Sequence, residues 1–136
     1  MSNKTSDKAV PIESYFRQLY EEAPLPYQSL DAEGRLLDVN RAWEDTLGYT
    51  REEVLGRFIG DFHVPGQEEK LRHGFIDFIR QDSVQAIEFE FICKDGMRKF
   101  MAVSGRIVRD NQDRFLRTHC ILNDITERKV IESALE

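Results

Sequence analysis

From Val84 to Asn123 apolar residues recur at every second position, whereas upstream they recur at every third or fourth. In the first run of the alternating part, Ile87, Phe89, Phe91 and Cys93 alternate with Glu88, Glu90, Ile92 and Lys94, and Asp95-Gly96 is a hairpin-turn signal. In the second, Met101, Val103, Gly105 and Ile107 alternate with Phe100, Ala102, Ser104 and Arg106. After the turn "DNQD", Leu116, Thr118, Cys120 and Leu122 alternate with Phe115, Arg117, His119, Ile121 and Asn123. Each of these three strands therefore has one face without charge, which is where a core or a pocket must form. The opposite face carries Ile92, Phe100, Ala102, Phe115 and Ile121, too much apolar surface to stand in water uncovered.

Upstream, "PIESYFRQLYEEAP" places Pro11 at a helix-opening position and Ile12, Tyr15, Phe16, Leu19 and Tyr20 at helical spacing. This amphipathic helix is the expected cover for the outer sheet face, from its own chain or from a partner. "YQSLDAEGRLLDVN" predicts two short strands around a turn in which Gly34 takes positive φ. Asn40 is placed to cap a helix "RAWEDTLG" that Gly48 ends, and Thr50 with Glu53 forms a capping box for a short helix stopping at Gly56. "GRFIGDFHVPG" reads as a loop. "QEEKLRHGFIDFIRQD" reads as a longer helix with Leu71, Phe75, Phe78 and Ile79 on one face.

A chain of 136 residues is one domain's worth, able to bury roughly two-thirds of its unfolded surface. With 40% hydrophobic and 32% charged residues, the composition is that of a globular protein, and no apolar run reaches membrane-helix length. The polar start "MSNKTSDKAV" lacks the apolar segment of a secretory signal, so a cytoplasmic location is expected. A formal net charge of −6 argues against nucleic acid and anionic lipid as partners, since both need a basic surface. Cys93 and Cys120 have no metal-ligand or CxxC spacing and read as reduced core thiols.

The order strand, strand, short helices, long helix and three-strand meander, with "DVNRAWEDTLGYTREEVLG", "KDG" and "DITERK" in their places, resembles the PAS domain family, the PAS/PAC sensory-box modules of bacterial signal-transduction proteins. The resemblance spans residues of about 15 to 132. It implies an α+β fold: a five-stranded antiparallel sheet with helices on one face, here with an added N-terminal amphipathic helix and a C-terminal exit helix. The chain then divides into residues 1–22 (tail and amphipathic helix), 23–124 (PAS core) and 125–136 (start of a signalling helix). The resemblance also implies a sensory role and a homodimer.

Asp124 and Thr126 resemble the family's Asp-x-Thr motif at the exit of the last strand. Both side chains can bond backbone amides at a helix start, and Glu127 would complete a D-x-x-E box. Ile125, Ile131, Ala134 and Leu135 would then form the stripe of a parallel coiled coil through which sheet distortion becomes helix movement. An ordinary capped helix is the simpler alternative. The chain stops within this helix, which points to an output domain downstream, a histidine kinase or a GGDEF-type cyclase. No catalytic constellation is present, so the segment is expected to be catalytically silent.

The candidate pocket lies between the charge-free sheet face, with Phe89, Phe91, Met101, Val103, Thr118, Cys120 and Leu122, and the long helix, with Phe75 and Ile79. Gly105 is expected to leave room there. The same residues could equally fill a core, which leaves a ligand-free interaction module as the competing reading. Some PAS domains bind haem through a histidine on the long helix, but His73 lies about 200° around the helix from Leu71 and should face solvent. The family's light-sensing branch carries its reactive cysteine in an "NCRFLQ"-type stretch, which "GRFIGDF" does not match. Neither haem nor flavin is thus supported, and His63, His73 and His119 are too scattered for a metal site. His119 is assigned to an interface, His63 to a loop and Trp43 to packing.

Overall fold

The computed structural model describes residues 12 to 135. Pro11 and the polar tail before it lie outside the described residues, as do the side chains of Ile12 and Phe16. The elements follow as α1 (Ile12–Glu22), β1 (Tyr27–Leu30), β2 (Leu36–Val39), α2 (Arg41–Leu47), α3 (Arg51–Val54), a 3-10 turn (Ile59–Phe62) and α4 (Glu68–Gln81). They are completed by β3 (Ser83–Ile92), β4 (Arg98–Arg109), β5 (Phe115–Asp124) and α5 (Thr126–Ala134). The five strands form one antiparallel sheet in the order β2-β1-β5-β4-β3.

The local signals act as expected. Gly34 has φ 80° in the turn between β1 and β2, and Gly48 ends α2 with φ 86°. Thr50 and Glu53 close a reciprocal capping box on α3. Asn40 caps α2 by accepting the Trp43 N–H at 3.1 Å, but its role is wider. The same Oδ1 accepts the Tyr27 N–H at 2.9 Å, and Nδ2 donates to the carbonyls of Tyr20 (2.9 Å) and Leu25 (3.0 Å). One buried amide thus ties α1, the linker, β1 and α2 together.

The core lies between the inner sheet face and α2, α3, the 3-10 turn and α4. Phe91, Met101 and Leu122 are fully buried on the sheet, facing Trp43, Leu47, Val54 and Phe62. Trp43 is a packing residue, edge-on to Phe62 and donating its indole N–H to Gln28 Oε1 at 3.0 Å. Two bulges interrupt the alternation. One falls between Val84 and Ile87, where Ala86 takes φ 52°. The other skips Leu116, which is therefore exposed instead of facing inward.

The outer face has two covers rather than one. Tyr20 of α1 stacks on Tyr27 of β1 (centroids 5.4 Å apart) and approaches His119 of β5, so α1 covers the β1 side from its own chain. On the other side α5 packs against β4 and is held to β3 by Lys129 and Arg128, which meet the Glu88 carboxylate at 2.6 and 3.3 Å.

Candidate functional site

β3 is an edge strand, and the segment leading into α4 closes that edge with polar groups. The Val64 N–H donates to the Glu90 carbonyl at 2.9 Å. The Gln67 side-chain amide then bonds Glu90 on both sides, Nε2 donating to its carbonyl at 2.7 Å and Oε1 accepting its N–H at 2.8 Å. Lys70 donates to the Glu88 carbonyl and lies over the Phe89 ring, 4.9 Å from its centroid. These clips fix the first turn of α4 against the sheet.

Two spaces lie on either side of this junction. An inner cavity of about 50 Å³ sits between the sheet and α4, its lining including Leu30, Ile59, Leu71, Phe75, Phe78 and Cys120. A cleft of about 490 Å³ opens between the 3-10 turn and the outer flank of α4, lined by Phe58, Ile76, Gln67 and the charged residues Glu33, Asp61, Glu68 and Arg72 among others. Ile59, His63, Leu71 and Phe75 line both, so they form the wall between them.

Of the sequence-derived pocket residues, Phe75, Phe89, Phe91, Val103 and Cys120 line the inner cavity. Ile79, Met101, Thr118 and Leu122 do not. Met101 and Leu122 are packed solidly into the core. Thr118 is spent on structure: its Oγ1 accepts the Leu30 N–H at 2.9 Å and its carbonyl accepts the Ser29 hydroxyl at 2.8 Å. Ile79 sits on the flank of α4, where its carbonyl accepts Arg109 Nη2 at 3.2 Å. Gly105 leaves no room, because a Cβ there would lie 2.6 Å from Cys120 Sγ and 2.8 Å from the His119 carbonyl oxygen. Burial pushes the Cys120 thiol up to about 11, so it is an unreactive core group.

His73 is exposed beside Glu69, on the face expected from helical spacing. The residue that sequence reasoning missed is His63. It is 7% exposed, stacked on Phe89 with centroids 4.7 Å apart and edge-on to Phe91 at 4.6 Å. Burial, with Lys70 adding to it, holds the imidazole down to about 4, hence neutral at pH 7. Its Nδ1 is buried without a hydrogen-bond partner among the described residues. Nothing in "DFHVPG" signals this, because the burial is created by β3 arriving from elsewhere in the chain through a bridge between His63 and Phe91.

At the exit of β5 the expected D-x-x-E box does not form. The residue preceding α5 is Ile125, with no side-chain cap bond. Asp124 accepts the Thr126 N–H at 2.9 Å, and Thr126 Oγ1 accepts the N–H of Phe100 on β4 at the same distance. Ile125 is buried and belongs to the domain, whereas Val130, Ile131 and Leu135 are exposed. The apolar stripe therefore starts beyond Ile125.

Residues 26–127 match the PAS domain family. The chain belongs to it. The chain is 21% identical over 124 residues to the sensor histidine kinase TmoS of Ectopseudomonas mendocina, a match covering 90% of this chain and 13% of that protein. Among solved structures, a PAS domain from Colwellia psychrerythraea superposes with a TM-score of 0.78 at 21% identity, over 85% of this chain and 98% of that one. The PAS domain of an HTR-like protein from Haloarcula marismortui superposes with a TM-score of 0.75 at 24% identity, over 90% and 99%. These likenesses show the PAS fold. No described helix is long and apolar enough to cross a membrane, and no described group of His, Cys, Asp and Glu could hold a metal ion.

Proposed function

We propose that this domain is the cytoplasmic sensory module of a larger signalling protein, binding a small molecule against α4, in the cleft and the cavity behind it, and passing the change to an output domain through α5. The observation that carries the reading is the paired arrangement of cavity and cleft on either side of one shared wall, with the segment leading into α4 clipped to the same strand that holds the exit helix. Phe89 lines the cavity from one side of β3. The adjacent Glu88 grips Lys129 and Arg128 of α5 from the other. A ligand that displaces the wall shifts β3 against α5, while Asp124 and Thr126 keep the start of α5 on β4. The kinship with a sensor histidine kinase favours a kinase as the output over a GGDEF cyclase, and the exposed stripe of α5 suits a parallel homodimer.

Native mass spectrometry of freshly purified protein against its denatured mass tests the first step. Extra non-covalent mass, or a melting temperature raised by members of a small-molecule panel, supports it. Bare mass together with indifference to the panel favours a ligand-free dimerisation module. That second reading has its own support in the inner cavity, which at about 50 Å³ holds little more than water while the wall is closed. Alanine at both Asp124 and Thr126 in the full-length protein should alter its output, and unchanged output would sink the relay.

A further inference from the structure

The wall residue His63 has no structural task that needs an imidazole. Its stacking on Phe89 and edge contact with Phe91 would be served by phenylalanine, and its Nδ1 is buried with no partner among the described residues. A buried polar atom left unpaired is a cost that a folded protein ordinarily removes. Here it is retained on a residue that lines both the cavity and the cleft, so a molecule that parts the wall between them would reach it.

We infer that His63 is the polar anchor of the ligand site, and that the ligand is an uncharged, mainly apolar molecule carrying a hydroxyl group. The inference rests on the small-molecule reading above. The apolar surfaces of the cleft that accept the body of the ligand are Phe58, Ile59, Leu71, Phe75 and Ile76. A hydroxyl suits either tautomer of a neutral imidazole, since it donates to a bare ring nitrogen and accepts from a protonated one. Anionic ligands are selected against. Three carboxylates, Glu33, Glu68 and Asp61, the last paired with Arg57 at 3.4 Å, stand around the cleft against the single guanidinium of Arg72, which Glu69 holds at 2.8 Å. The cleft volume of about 490 Å³ lies within the range of small-molecule sites.

Three probes of one ring size test this: cyclohexanol, methylcyclohexane and cyclohexanecarboxylate, titrated by calorimetry and thermal shift against the intact chain and against His63→Phe and His63→Gln. Cyclohexanol is expected to bind roughly tenfold more tightly than methylcyclohexane. The carboxylate should not bind. His63→Phe should erase the preference for the alcohol and His63→Gln should keep part of it. In the wild-type protein, cyclohexanol should also move the ¹⁵N resonances of the His63 ring, a readout independent of whether either variant folds. Equal binding of alcohol and hydrocarbon with no ¹⁵N change overturns the His63 anchor and leaves the small-molecule reading standing. Preference for the carboxylate overturns the ligand class. Failure of all three to bind overturns the His63 anchor and the ligand class, while the small-molecule reading is decided separately by the retained mass and the wider panel.

Discussion

Thr126 Oγ1 accepts the Phe100 N–H at 2.9 Å, and the preceding Ile125 N–H donates to the Phe100 carbonyl at 2.8 Å. Two residues at the entry to α5 thus satisfy both backbone groups of one residue of β4, as a paired strand would. Thr126→Val keeps the shape but removes the acceptor, so it should destabilise the domain by about 1–2 kcal/mol. Native-state hydrogen exchange should show the Phe100 amide exchanging faster while that of Val103 is unchanged. Unaltered exchange at Phe100 would remove this bond from any account of the relay.

Asn40 uses one carbonyl and one amino group to hold four backbone partners. Asn40→Ala should cost about 2–4 kcal/mol, more than an exposed helix cap. Asn40→Asp keeps the cap on Trp43 and the bond from Tyr27 but loses the donors to Tyr20 and Leu25. Its loss should appear mainly as faster exchange and easier proteolysis of α1, measured beside urea unfolding of both variants.

Stability should fall on mild acidification because of His63. The ring is held down to about 4 in the folded domain, against an ordinary value of 6.5. The unfolded chain therefore binds the extra proton first, and folding free energy is lost as pH drops from about 6.5 towards 4, by at most about 3 kcal/mol. His119, also lowered by burial, contributes in the same direction. The paired carboxylates Glu53, Glu69, Glu88 and Asp110 are held below their ordinary values and add losses only at lower pH. Urea unfolding between pH 7 and 5 should show a slope that His63→Phe largely abolishes.

Gly105→Ala should destabilise strongly, by about 1–3 kcal/mol, because the new methyl meets Cys120 Sγ and the His119 carbonyl oxygen. Adding Cys120→Ala removes one of those obstacles and leaves the backbone one, so calorimetric melting should show partial recovery. Full recovery would mean that the backbone of β5 yields more readily than its packing suggests.

Glu88→Gln should leave the melting temperature nearly unchanged, since exposed ion pairs contribute little, yet loosen α5 from the sheet. Amides of α5 should exchange faster, and raised salt should reproduce the effect in the wild-type protein. If exchange in α5 is insensitive to both, Glu88 does not hold the helix.

Local chemistry determined a large part of this protein in advance. The turn at Gly34, the cap at Asn40, the Thr50–Glu53 box, the helix over the 68–81 region and, Leu116 apart, the inward sets of β3 to β5 depend on interactions spanning only a few residues, so the chain states them directly. Their order sufficed to identify the family. The tertiary structure decided what depends on distant segments meeting. It placed Cys120 in the space beside Gly105, spent Thr118 on β1, took Thr126 to Phe100 in place of a box with Glu127, and brought β3 over His63. A histidine in a glycine- and proline-bounded loop has no periodicity to reveal its surroundings. Its neutrality and its unpaired nitrogen arise only when Phe89 and Phe91 close over it.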